Sequence, residues 1–210
     1  MKKVTLVLFC LSSFLIAHTQ QKAITEIGEE VILYDNGTWK YQNQEDFEET
    51  EIPTNTMQFT KGENATFLLK SSKFDVGFWI NPKKWSFEKA INNSDAEYEL
   101  TLKDGDLYSM ILTEKIEIPI EKLRSIALEN AKVSAPDIEV VKEEYRIVNG
   151  TKVLLLQMNG TIQGIEFSYY GYYFSSDKGT LQFITYTSQS LLNEYKGECE
   201  ELLNGFVVID

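Results

Sequence analysis

The chain has 210 residues, of which 43% are apolar and 25% are charged, a composition typical of a globular protein rather than a disordered or fibrous one. Asp and Glu outnumber Lys and Arg by 32 to 20, and the resulting net charge of −12 excludes a general affinity for nucleic acid or for anionic membranes. His18 is the only histidine, and Cys10 and Cys199 are the only cysteines. A chain that loses its first residues on export would therefore lack histidine-based triads, histidine-ligated zinc and intrachain disulfides.

Residues 1–19 have the layout of a secretory signal peptide. A short basic start is followed by an apolar run over residues 4–17, which is too short for the roughly 20 residues of a membrane-spanning helix. A buried N-terminal strand would not explain the lack of polar alternation, and the bulky Phe9 before Cys10 disfavours lipidation of that cysteine. We expect cleavage near Gln20 and a periplasmic or extracellular protein.

The next two segments are short. In residues 20–42, two β-prone runs meet at Asn36-Gly37, the pair that best tolerates a two-residue hairpin turn. Residues 43–56 contain five acids and no base, which predicts a solvated tether. The alternative is a calcium-collecting strip, but the spacing lacks the glycine turn and terminal Glu of an EF-hand loop, so we expect no tight metal site.

Residues 57–210 have the size of one compact domain. Strands are predicted at 67–70 and 74–80, ended by Asn81-Pro82, and at 98–103 and 107–113, joined by Asp104-Gly105. Pro119 opens a helix that extends to about Lys132. Its apolar face consists of Ile120, Leu123, Ala127 and Ala131.

The second half of this domain is richer in strands. Four of them are predicted, at 139–148, 151–158, 163–175 and 180–188, and Asn149-Gly150 joins the first two. A last helix follows, with Leu192, Tyr195, Cys199, Leu202 and Phe206 on one face. The order of elements predicts an α+β fold in which helices cover an antiparallel sheet.

Two stretches of this domain resemble the PsbP-like family. Val76-Gly-Phe-Trp-Ile80, followed by Asn81-Pro82 and Trp85, is similar to its opening strand, and 167–174, 181–187, Tyr195 and 202–206 are similar to its terminal hairpin and closing helix. The resemblance covers about residues 67–207 and implies an α/β/α sandwich with a non-enzymatic accessory or binding role. A second resemblance, of the hairpin Val31 to Tyr41, is to a segment at the mature N-terminus of many secreted Bacteroidetes proteins.

Few residues suggest chemistry. Nucleophile-elbow, C-x-x-C, Walker and dinucleotide-binding motifs are absent from the sequence. Cys199 has no histidine partner and lies on an apolar stripe, which favours a buried small hydrophobe over a nucleophile. Asp104-Gly105-Asp106 is first of all a turn, although it could touch a cation, and among 32 acids some carboxylate pair always looks plausible. We predict no catalytic residue, no metal site and no cofactor.

The aromatic strand 167–174 is the most unusual feature. Its even-numbered side chains, among them Tyr170, Tyr172 and Phe174, could form an exposed stacking platform for sugars or a partner. The favoured interpretation is a central strand covered on both faces, with Gly171 at a close backbone approach. Trp79, Trp85 and Phe87 are interpreted as packing residues rather than a ligand cage.

The sequence therefore favours an exported, non-catalytic binding or accessory module of the cell envelope. Its partner would be a protein or a small ligand, with no nucleic acid and no membrane span, and the oligomeric state is left open. The alternatives are a carboxylate-dependent hydrolase and a structural or assembly factor of an envelope complex.

Overall fold

The computed structural model describes residues 21–24, 30–33, 39–41, 52–91 and 93–209. The predicted signal peptide and the Asn36-Gly37 turn lie outside these residues. The chain divides into two compact units, residues 1–51 and 52–210. Within the described part of the chain, every helix is too short or too polar to cross a membrane.

The described residues of the first unit form three short strands. These are β1 (Gln21–Ile24), β2 (Glu30–Leu33) and β3 (Trp39–Tyr41), and they form an antiparallel sheet in the order β1-β2-β3. β2 and β3 are the two runs that flank the predicted turn, and they pair with Leu33 opposite Trp39. β1 was not predicted from the sequence.

The second unit is built on one large sheet, with strand order β4-β10-β11-β12-β13-β9-β8-β7. All neighbours pair antiparallel except β4 and β10, which are parallel. The strands are β4 (Thr54–Phe59), β7 (Trp85–Lys89), β8 (Ala96–Leu102), β9 (Tyr108–Glu114), β10 (Glu139–Val148), β11 (Thr151–Ile162), β12 (Ile165–Ser176) and β13 (Gly179–Ser188).

The two faces of the large sheet are covered differently. Helix α1 (Ile120–Ser134) packs on one face. The other face carries helix α2 (Leu192–Leu203) and a second antiparallel sheet, in the order β14-β6-β5. The strands of that sheet are β5 (Phe67–Lys70), β6 (Val76–Ile80) and β14 (Phe206–Val208). The expected sandwich with helices on both faces is therefore only partly correct.

Local sequence explains where several elements begin and end. Asn149 and Gly150 both have positive φ, 47° and 85°, which is the two-residue hairpin turn predicted between β10 and β11. α1 starts after Pro119 and ends at Ser134, because Pro136 disfavours helical backbone at Ala135, whose φ and ψ are −137° and 86°. The predicted strands and helices of this unit are present, with ends that differ by a few residues.

The structure adds strands that the sequence did not indicate. β4 includes residues 54–56, which we had assigned to the acidic tether, and the Pro53 carbonyl accepts a hydrogen bond from Tyr145 N. Phe206, predicted on the face of the last helix, is buried in β14 instead. β7 was not predicted from the sequence.

Glu97 connects the large sheet to the end of β5 in the second sheet by hydrogen bonds. Its carboxylate accepts hydrogen bonds from Ser71 Oγ (2.7 Å), Ser72 N (2.6 Å) and Thr113 Oγ1 (2.6 Å). Burial alone would raise the pKa of Glu97, but these hydrogen bonds outweigh it and lower the pKa below the ordinary value of 4.5. The ionised form therefore stabilises the fold.

We expect Glu97→Gln to lower the free energy of unfolding by about 2 kcal/mol at neutral pH, because charge-assisted hydrogen bonds are lost. A depressed folded-state pKa contributes stability above the unfolded pKa, and this contribution disappears as the pH falls through the folded value. Denaturant unfolding at several pH values should therefore show wild type and variant converging below about pH 4.5. A difference that persists at low pH would contradict this role.

Candidate functional site

The aromatic strand β12 is central, and its side chains alternate between the two faces as predicted. Tyr170, Tyr172 and Phe174 point toward α2 and the second sheet, whereas Phe167 and Tyr173 point toward α1. Tyr170 and Tyr172 are 0% exposed and Phe174 is 8% exposed. The platform hypothesis for these three residues is therefore wrong: the second layer covers their face of the sheet.

Gly171 lies at the predicted close approach. A Cβ there would be 2.8 Å from the Phe183 carbonyl oxygen and 3.0 Å from Ile184 Cα, both backbone atoms of the neighbouring strand. A larger residue would push β12 and β13 apart. The position is structural.

A polar network around Arg146 satisfies the buried tyrosine hydroxyls. Arg146 on β10 is 3% exposed and contacts Glu144 (2.6 Å), Tyr172 Oη (3.1 Å) and Glu200 (3.3 Å). Tyr170 Oη donates to Glu200 (2.7 Å) and Tyr172 Oη to Asn204 (2.8 Å). Burial raises the pKa of Tyr172 to about 12, and that of Tyr170 is raised as well. Both phenols are neutral hydrogen-bond donors that hold α2 on the sheet.

Cys199 lies on the buried side of α2 and is 0% exposed. Burial raises the pKa of its thiol to about 11, which outweighs the lowering effect of Thr185. A thiol that stays protonated is a poor nucleophile. The prediction of a buried small hydrophobe is confirmed.

The aromatic group of the N-terminal half is also mostly packing. Trp85 is buried in the core, Trp79 is half-buried, and the Phe87 ring contacts the Phe67 ring, with 5.2 Å between centroids and a tilt of 32°. Lys61 Nζ lies 5.1 Å from the Trp79 ring centroid. These residues do not converge on one cavity.

A shallow cleft lies between α2 and the β8–β9 turn. It has a volume of about 340 Å³ and is lined by Lys83, Lys84, Leu102, Asp104, Glu194, Tyr195 and Glu198. Lys84 bridges Glu198 (2.9 Å) and Glu201 (2.7 Å), and Tyr195 Oη accepts a hydrogen bond from Asp106 N. Lys84, Glu198 and Tyr195 are thus paired within the protein, and among the described residues no three metal-ligating side chains come together.

Helix α1 covers only part of its face of the large sheet, and the rest of that face is more exposed. α1 packs over β11 and β12 through Leu123 and Ala127. On β13, β9 and β8 the same face carries the buried Ile184, but also side chains that are half-buried or exposed, among them Tyr186, Tyr108 and Thr101.

Strand register places three tyrosines in one row across this face. Tyr169 on β12 is opposite Tyr186 on β13, which is opposite Tyr108 on β9. The Tyr108 and Tyr186 rings are stacked with centroids 5.6 Å apart, and Tyr169 meets Tyr186 edge-on at 6.1 Å. Thr101 and Ser86 continue the row on β8 and β7. We call Tyr108, Tyr169 and Tyr186 the open tyrosine face.

The hydroxyls of the open tyrosine face have no hydrogen-bond partner within the described part of the chain, in contrast to those of Tyr170 and Tyr172. Burial raises the pKa of Tyr169, and burial followed by the charge of Glu99 raises that of Tyr186. Both phenols therefore stay protonated at neutral pH and can donate a hydrogen bond. Amphipathic rings with free polar ends are typical of binding surfaces.

The sequence of any single strand does not reveal this surface. Tyr108 and Tyr186 stand alone in their own strands, and only the register of β9, β13 and β12 brings them beside Tyr169. Two signals were available. Side chains alternate along a strand, so Tyr169 points to the face opposite Tyr170, and a helix as short as α1 cannot cover a sheet of this width.

The comparisons with known proteins bear on the fold. No family model and no curated protein sequence matches the chain. The solution structure of the cyanobacterial PsbP protein (CyanoP) from Synechocystis sp. PCC 6803 is similar, with 12% identity, a TM-score of 0.52, and coverage of 70% of this chain and 94% of that one.

Two crystal structures are similar at a lower level. A Pseudomonas aeruginosa protein of unknown function has 13% identity and a TM-score of 0.44, covering 69% of this chain and 97% of that one. A Bacteroides thetaiotaomicron protein has 11% identity and a TM-score of 0.44, covering 68% and 48%. The likeness to CyanoP shows a PsbP-like fold.

Proposed function

We propose that this chain is an exported, non-catalytic binding module of the cell envelope, and that it recognises its partner through the open tyrosine face. The carrying observation is the row of Tyr169, Tyr186 and Tyr108, whose hydroxyls lack partners among the described residues. A domain that needed these rings only for packing would bury them, as it buries Tyr170 and Tyr172.

The chemistry of the domain supports binding rather than turnover. Its cysteine is buried with a raised pKa, and Lys84 at its cleft is paired with Glu198 and Glu201. The PsbP-like fold is compatible with an accessory role. Export is inferred from residues 1–19 of the sequence.

Two exposed aromatic residues of equal exposure provide a matched test. Tyr108 is 38% exposed on the open tyrosine face, and Phe87 is 40% exposed on the opposite face of the same sheet. We expect Tyr108→Ala to weaken partner binding at least about tenfold, as for a residue near the centre of an interface, while Phe87→Ala retains it.

The measurement is affinity capture from the native envelope fraction with the mature wild type and both variants, followed by titration of the recovered partner. Thermal unfolding should show both variants folded. Equal capture by Tyr108→Ala and wild type would contradict the proposed surface. Recovery of a chemically modified partner only with wild type would contradict the non-catalytic role.

A further inference from the structure

Two carboxylates that lie beside the open tyrosine face have no counter-ion among the described residues. Glu88 on β7 is directly opposite Glu99 on β8, so their side chains share one face of the sheet. Like charges in this position destabilise a strand pair. No cation of the described residues lies within ion-pair distance of either one, whereas Glu143 is paired with Arg124 and Glu198 with Lys84.

The pair is on the same face as the tyrosines. Glu99 is opposite Met110, and Met110 is two residues along β9 from Tyr108. The charge of Glu99 is one cause of the raised pKa of Tyr186, which places that carboxylate near the tyrosine row. Carboxylates and aromatic rings thus form one continuous surface on β7, β8, β9 and β13.

The charge of this surface indicates which class of ligand it would bind. The chain carries a net charge of −12, so an anionic ligand would be repelled. A neutral ligand such as an oligosaccharide could contact the tyrosines but would leave Glu88 and Glu99 facing each other. A cation both relieves that repulsion and is attracted to the faces of tyrosine rings.

We propose that this surface receives a basic segment of a partner protein, with an arginine or lysine side chain placed between Glu88 and Glu99 and its apolar stem against Tyr108 and Tyr186. This inference rests on the proposed function of the open tyrosine face and specifies the chemistry of its partner. The free tyrosine hydroxyls supply hydrogen-bond acceptors for the guanidinium or ammonium group and for the peptide backbone.

Short synthetic peptides that differ only in two positions, occupied by Arg, Lys, Gln or Glu, provide the probe. They are titrated into the isotope-labelled mature protein and followed by NMR. We expect the Arg peptide to bind at least about tenfold more tightly than the Gln and Glu peptides, with shifts on β7, β8, β9 and β13, and to weaken as salt is raised.

The double variant Glu88→Gln/Glu99→Gln should lose at least about tenfold in affinity for the Arg peptide, whereas Glu139→Gln, at an exposed position on β10, should not. The double variant should also unfold at a slightly higher midpoint, because the like-charge pair is removed. Equal affinity for the Arg and Gln peptides, no detectable binding of any peptide, or binding of cellohexaose instead would overturn the inference. None of these results bears on capture through Tyr108, which tests the proposed function separately.

Discussion

Tyr170→Ala is expected to lower the free energy of unfolding by about 3–5 kcal/mol, the range for removing a large buried aromatic side chain. Tyr170 is 0% exposed, packs in the core between the large sheet and the second layer, and donates a hydrogen bond to Glu200. Its loss leaves a cavity and removes one of the two hydrogen bonds that the Glu200 carboxylate on α2 accepts, the other coming from Arg146. The expected loss of about 3–5 kcal/mol is a large share of the roughly 5–15 kcal/mol by which a typical domain is stable.

Tyr169→Ala is the matched comparison, because the two residues are neighbours on β12 and point to opposite faces. Tyr169 is only partly buried at the edge of the α1 cluster, so we expect a loss of about 1–2 kcal/mol. Denaturant melts of both variants measure the difference. Equal severe losses would mean that the open tyrosine face is covered in the folded protein, and the proposed binding surface would then be wrong.

The local sequence predicted the individual strands and helices better than it predicted how they pack into layers. The positive φ values of Asn149 and Gly150 and the alternation of β12 follow from short-range stereochemistry, which one sequence displays. The second sheet depends on β14 and β6 pairing between residues 206–208 and 76–78. Nothing in the local sequence indicates such a pairing. A strand as short as Phe206–Val208, directly after a helix, is predicted as the end of that helix.

The candidate site shows the same limit. The two-sided burial of β12 was predictable, because a strand rich in aromatic side chains on both faces needs two cores. Strand register decides which side chains of neighbouring strands lie together at the exposed end of a face. Tyr108 is far from Tyr169 and Tyr186 in the chain, so the sequence alone does not bring the three together. The Glu88–Glu99 pair was hidden for a further reason, because the sequence did not predict β7 at all.

Arg146→Met is expected to lower the free energy of unfolding by about 3–5 kcal/mol at neutral pH, because breaking a buried ion pair leaves its partners uncompensated. Burial would lower the pKa of Arg146, but Tyr172, Tyr170 and Glu144 raise it, so the guanidinium stays charged. Methionine keeps an apolar stem against Phe59, whose ring centroid lies 4.4 Å from the guanidinium carbon. The variant therefore tests the charge more than the packing.

The loss should depend on pH and should be partly reversible by a second change. Burial alone would raise the pKa of Glu144, but Arg146, Asn55 and Lys142 lower it, so the stability that it gains from Arg146 is present above its unfolded pKa near 4.5 and disappears as the pH falls. The difference between wild type and Arg146→Met should shrink below that pH. The triple variant Arg146→Met/Glu144→Gln/Glu200→Gln should recover about half of the lost stability at neutral pH, since the unpaired carboxylates are gone. A triple variant no more stable than Arg146→Met would show that the arginine acts through its stacking on Phe59 and its hydrogen bond to Tyr172, and not through its charge.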